Sequence, residues 1–384
     1  MSAGSTESPD GPVPAAAAPS TLPRAVVVLL GTGAAVLTAA GVRSFADILG
    51  PVFLALVLTI AVSPLRRLLV MRGVKGWLAA LIALVVVYAF LLGVAAALAY
   101  SVAKLASLLP AYQDKFAEMV DNARGWLADR GVGDDQLQAA LQKLNLGNFF
   151  DFVQGWLSGF LGVFSDLTLI IIVLFFMGLD AAKFSDRLRE AARIRPDIIG
   201  ALTGFARGTT RYLIVATVFG LIVALFDVGV LYLLDIPLPW LWGLLAFLTN
   251  YIPNVGFFIG VVPPALLGLL DQGWETFLWV IAAYCVINFI IQSIIQPKVV
   301  GDAVGLTTTL SFLSLIFWAW ILGPLGAVLA IPLSLLVKAL LLDADSSTGW
   351  LGGLISGDQL PEHADAPDEP EPLSPAEPPA EARN

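Results

Sequence analysis

The chain has 384 residues, 58% of them hydrophobic and only 13% charged, with a mean hydropathy of +0.84. So little charge cannot cover the surface of a soluble domain, and the composition indicates an integral membrane protein. The net charge of −9 carries no message about a substrate, because residues 343–384 hold ten acids against Arg383 and two more acids, Glu7 and Asp10, lie in the first 23 residues. The single cysteine, Cys285, and single histidine, His363, exclude a disulfide framework and leave no Cys- or His-based metal site. No nucleophile elbow, HExxH pair or phosphate-cradling glycine loop is present, so neither an enzyme nor a cofactor is expected.

In chain order, residues 1–23 are rich in Ala, Pro and Ser and are expected to be disordered. The apolar run after Arg24 resembles a signal-peptide core. A second apolar run follows at once, however, which favours a retained transmembrane helix. Runs near the ~20 residues that a bilayer demands predict full spans at 25–42, 46–63, 77–101, 156–179, 212–234 and 275–296. Two longer apolar blocks, 239–270 and 306–342, are interrupted by Pro and Gly in their middles and predict helical hairpins, re-entrant or fully spanning. The fold class is therefore all-α, a polytopic protein of about six spans plus two interrupted hairpins.

Lys and Arg set the orientation. Arg66, Arg67, Arg72 and Lys75 after the second span, and the seven bases of 180–211, belong in the cytoplasm, whereas 102–155 is acid-rich and belongs outside. Both termini are then cytoplasmic. Within 102–155 the spacing of Tyr112, Phe116, Met119, Val120, Ala123, Trp126 and Leu127 predicts an amphipathic helix, and a second runs from Asp134 through Leu144. Asp180–Ile194 reads as a further amphipathic helix, stopped before Pro196. The expected divisions are a tail (1–23), three spans (24–101), the outer helices (102–155), a span with its inner helix (156–211), the hairpin-bearing transport domain (212–342) and an acidic, Pro-rich tail (343–384).

The two interrupted blocks share a pattern. Pro253-x-x-Gly256 precedes Pro263 by seven residues, Pro324-x-Gly326 precedes Pro332 by six, and each block follows one uninterrupted span. The charge rule runs those spans in opposite directions, which is the pattern of an inverted-topology repeat with its site between the hairpin tips. Broken helices at membrane depth persist only where protein or a watery cavity covers the freed backbone groups, so the breaks and the intramembrane polar residues mark the candidate site. Asn250, Pro253, Asn254 and Gly256 surround the first break, and Gly256 with Gly260 forms a small-xxx-small face for close backbone approach. Asn288, Gln292 and Gln296 recur every fourth residue on the helix before Pro297. These seven, without Gly260, are the candidate substrate-binding residues, and helix–helix hydrogen bonding is their plainer role. Asp227 and Asp166 are the carboxylates well inside predicted spans and have no base near them in sequence. Either could carry a coupling proton or ion; the plainer reading makes Asp166 a helix cap and places Asp227 near the outer interface.

NYIPNVG (Asn250–Gly256) with Pro263-Pro264, QPKVVG (Gln296–Gly301) and the run LSLIFWAWILGPLGAVLAIPLSLLVK (Leu313–Lys338) resemble the autoinducer-2 exporter family, a group of permease-like multispan proteins. The LSLIFWxWxLGPxG form is most similar to its quorum-signal transport branch. The resemblance implies a multi-pass protein of the bacterial plasma membrane, forming a homo-oligomer in the lipid bilayer and moving a small solute outward, with no nucleic-acid partner. It leaves the substrate open, since some members are associated with autoinducer-2 export and others with sodium–proton exchange. Some relatives carry an acid shortly before the proline corresponding to Pro297. Here that stretch holds Asn288, Gln292, Ser293 and Gln296, a departure from the exchange pattern. The expectation is a secondary transporter of a small, polar, largely uncharged metabolite or signal. The alternatives are a cation–proton antiporter using Asp227 or Asp166 and a non-transport membrane scaffold.

Overall fold

A computed structural model describes residues 23–128, 155, 167–253, 255–296, 298 and 306–344; Asn254, Asp166 and the second outer helix fall outside these residues. Its two compact units are Met1–Phe45 and Ala46–Asn384. The first contains α1 (Arg24–Ser44), with Arg43 in its last turn, where a cation complements the helix dipole. The second is also all-helical among the described residues, and holds five helices long and apolar enough to cross a membrane.

The second unit begins with α2 (Ala46–Ala61) and α3 (Ser63–Met71), which run on as one span with Pro64 in the first turn of α3, where a missing N–H costs nothing. α4 (Gly76–Ala128) is a single helix of 53 residues. The expected span 77–101 and the amphipathic segment beyond it are therefore one rod and not two elements. Its inner part packs with α2 and α5 (Leu167–Ile194) around Ala55, Val87, Leu91, Ile170 and Leu174, and the Tyr88 hydroxyl donates to the Ile171 carbonyl at 2.6 Å. α5 likewise joins the end of the fourth expected span to the inner amphipathic helix, and Pro196 starts α6 (Pro196–Leu233), again at a first-turn position.

α6 is the central post. One stretch of it packs on the final helices through Phe205 and Tyr212 with Ile331 and Leu335; its far end, Leu231, enters the core of the first hairpin. That hairpin consists of α7 (Pro239–Thr249) and α8 (Gly256–Gln272). Its entry is strained, with Asp235 at φ 48° and Leu238 at φ 60°, left-handed conformations that cost roughly 1–3 kcal/mol at a non-glycine residue. Two bonds hold it: Trp242 Nε1 donates to Pro237 O at 2.9 Å and Gln272 Nε2 to Leu234 O at 2.9 Å. Between the arms Gly260 meets Ala246, an ideal Cβ on the glycine lying 3.5 Å from Ala246 Cα, so the small residue does allow the expected close approach.

The extension of α4 rests on this hairpin. Leu105 and Tyr112 are buried with Trp242, Val261, Ala265 and Tyr284, and Lys115 pairs with Asp271 at the hairpin's end. The buried Tyr112 phenol is pushed above its usual range by desolvation and then by the Asp271 carboxylate. Because the Lys115–Asp271 pair is part exposed, Lys115→Met should lower stability by no more than about 1 kcal/mol, read as a small fall in unfolding midpoint that fades as salt is added.

α9 (Trp274–Asn288) passes into a π-helical segment, Phe289–Ile295. Single π turns inside α-helices concentrate at functional sites. The second interrupted block is α10 (Thr308–Lys338), capped by the Thr307 hydroxyl and broken at Gly323, whose φ of 64° and ψ of −145° are non-helical. A hydrogen bond of 3.0 Å from Trp318 Nε1 to Ser334 Oγ spans the break, so α10 is a hairpin of two arms. The breaks are alike in detail. An ideal Cβ on Gly256 would lie 1.9 Å from the Thr249 carbonyl oxygen, and one on Gly326 would lie 1.9 Å from that of Trp318. Pro263, Pro264 and Pro332 lie inside their arms without ending them.

Candidate functional site

At the tip of the first hairpin, α7 ends at Thr249 and α8 starts at Gly256. Pro253 lies in the turn between them, where the Ile252 N–H donates to Thr249 O at 2.8 Å and Gly256 N–H to Ile252 O at 3.0 Å. The freed backbone groups thus find partners within the turn, and the Asn250 side chain turns away toward α6. Its Nδ2 donates to the Ala216 carbonyl at 2.8 Å. Gly220 makes this possible, since an ideal Cβ there would sit 2.7 Å from Asn250 Nδ2.

Asn250 Oδ1 accepts from Gln292 Nε2 at 3.1 Å, and the same Gln292 nitrogen donates to Asn288 Oδ1 at 2.8 Å. Asn288 Nδ2 in turn donates to the Tyr284 carbonyl at 2.9 Å. Three amides, from the hairpin tip, the end of α9 and the π-helical segment after it, form one chain, as residues on two separate motifs of the sequence. They line a chamber of about 10 Å³ with Val223, Asp227, Ala246, Thr249, Gly256, Phe257, Gly260 and Tyr284. That is space for about one water.

Asp227 is fully buried, and neither carboxylate oxygen has a partner among the described residues; the Tyr284 hydroxyl, also buried, lacks one too. Asp227 therefore sits in the core between α6, the first hairpin and α9. Tyr284 escaped the sequence reading, although its place four residues before Asn288 extends the same stripe by one turn. Gln296 is the exception at the other end. It follows the π segment and does not line the chamber, because the wider π turn carries it off the register that spacing by four implies.

A second cavity, of about 340 Å³, lies beside the first. Its walls come from α2, α4, α5 and α6 and from both hairpins, including Leu54, Phe90, Leu248, Tyr251, Leu325 and Leu329. Tyr251 and Thr217 supply the polar groups there, their hydroxyls 2.7 Å apart, while the Tyr212 hydroxyl donates to the Tyr251 carbonyl at 2.7 Å. Consecutive tip residues thus face two spaces, Asn250 the small polar chamber and Tyr251 the larger apolar cavity.

A family profile described as "AI-2E family transporter" matches residues 27–345. The AI-2 transport protein TqsA of Escherichia coli strain K12 is 28% identical over 82% of this chain and 90% of its own length. A putative transport protein of Haemophilus influenzae is 30% identical, over 81% of this chain and 90% of its own. The putative transport protein YhhT of Escherichia coli strain K12 is 28% identical, over 81% and 89%. With a profile match across most of its length and relatives aligned nearly end to end, the chain belongs to the AI-2E transporter family.

Proposed function

We propose that the chain is a secondary transporter that exports a small polar solute, of the autoinducer-2 kind, from the bacterial cytoplasm, with both termini inside and more than one copy per assembly. One observation carries this reading: the tip of the first hairpin is the wall between an amide-lined chamber and a cavity of about 340 Å³. Small-molecule sites occupy roughly 300–1,000 Å³, so the larger space suits a metabolite and the smaller one does not. In the state described here the amides bind one another. Swinging the hairpin about its strained entry at Asp235–Leu238 breaks the Asn250–Gln292 bond and turns both amides toward the solute, which is how a polar solute replaces internal partners with its own hydroxyls.

The relatives' names support transport as the class of activity, and TqsA's name supports a signal as its cargo. The test is an efflux assay for autoinducer-2 in cells expressing wild type, Asn250→Leu or Gln292→Leu. Export should fall about tenfold in each, the effect of about 1.4 kcal/mol lost from a binding step. Wild-type export by both variants at equal membrane abundance would remove these amides from the path.

A further inference from the structure

The chamber contains more than a solute path needs. Asp227 places two acceptor oxygens in it and Tyr284 a hydroxyl, all fully buried and all without a partner among the described residues. A buried polar atom left unsatisfied costs about 1–3 kcal/mol, so three in one space call for an occupant. The lining is rich in oxygen. Each amide nitrogen in it donates to a protein acceptor: Asn250 to Ala216 O, Asn288 to Tyr284 O and Gln292 to two amide oxygens. The Thr249 hydroxyl spends its hydrogen on Ala246 O, which leaves its lone pairs for the chamber.

Charge narrows the choice. The C-terminal end of α7 and the N-terminal end of α8 both abut the chamber, so their opposed dipole ends largely offset each other. Asp227 is the one acid in the lining, no base lines it, and Tyr284 is its other titratable group. A divalent ion takes six or more oxygens and commonly several carboxylates, and no group of three acids, His or Cys occurs among the described residues. One negative charge and a space for one small particle match a single dehydrated monovalent cation.

We infer that this chamber is a binding site for an alkali cation, held by the Asp227 carboxylate with the Tyr284 and Thr249 hydroxyls and the amide oxygens of Asn288 and Gln292. Its role in coupling rests on the transporter reading: because the cation bridges α6, the first hairpin and α9, its departure frees the hairpin to move. Binding itself is independent of export and is measured without it.

The experiment is thermal unfolding of the purified full chain in detergent, titrated with sodium, potassium or choline chloride at constant ionic strength. Sodium or potassium should raise the midpoint in a saturating manner relative to choline, as expected for a ligand of the folded state. Asp227→Asn, which keeps the side chain's size, should abolish the rise, and Tyr284→Phe should move the titration to higher cation concentration. Equal midpoints in all three salts mean that a water or a proton fills the chamber, and overturn the inference. So does a cation response that survives Asp227→Asn, or an unmoved titration in Tyr284→Phe, the variant that decides the matter should Asp227→Asn not fold.

Discussion

Gly256→Ala should leave the protein unable to close its first hairpin, and Gly326→Ala should do the same to its second. In each case the added methyl carbon would lie 1.9 Å from a backbone oxygen, of Thr249 or of Trp318, well inside any real contact. Neither oxygen belongs to a flexible side chain that can step aside; both are backbone atoms of the opposing arm. Overpacking a well-filled interior costs typically about 1–3 kcal/mol, and a clash with rigid backbone lies at the top of that range or above. The expected result is a large loss of folded, membrane-extracted protein on size-exclusion chromatography. Gly229→Ala serves as the control, since nothing lies within 4 Å of its added carbon. Wild-type yield from either tip variant would mean that the arms do not turn back where Gly256 and Gly326 place them.

Gly220→Ala should cut export about tenfold, a loss of about 1.4 kcal/mol, while leaving the fold largely intact. Its new methyl would meet Asn250 Nδ2 at 2.7 Å and Asn250 Cβ and Cγ at 3.1 Å. The neighbour is a side chain, so it can move, and in moving it gives up the bonds to Ala216 and Gln292. Efflux should therefore fall as far as in Asn250→Leu, although Gly220 itself does not line the chamber. The double variant Gly220→Ala/Asn250→Ala relieves the clash, and its unfolding midpoint should match that of Asn250→Ala alone. A Gly220→Ala protein that exports normally would show that the amide's position on α6 is immaterial.

Composition, hydropathy and the Pro–Gly punctuation were enough to read an all-helical membrane protein with two broken hairpins, because those features act locally and through the lipid. Helix ends were less legible. Charge and hydropathy mark where lipid gives way to water along α4 and α6, but a hydrogen-bonded helix continues through that boundary unbroken, so the edge of a span is not the end of its helix. The site was readable in part. Asn250, Asn288 and Gln292 stood out because amides are costly in lipid, but that they bind one another, with Asp227 beside them, is a matter of how α6, α7 and α9 cross. Tyr284 and Gly220 were hidden because an aromatic and a glycine in an apolar run look like ordinary packing residues. The π segment was hidden altogether, since its register differs from that of an α-helix by one residue and leaves no compositional trace.

The 53 residues of α4, at 1.5 Å each, make a rod of about 80 Å, against a hydrocarbon layer of about 30 Å. Its fastening to the first hairpin, through Tyr112 and Lys115, is partway along, and the helix runs on beyond it to Ala128. A tilt imposed at that fulcrum is magnified with distance, and Gly125 near the far end of the helix is exposed. A spectroscopic tag placed there would register from the aqueous side a rearrangement too small to follow inside the bilayer.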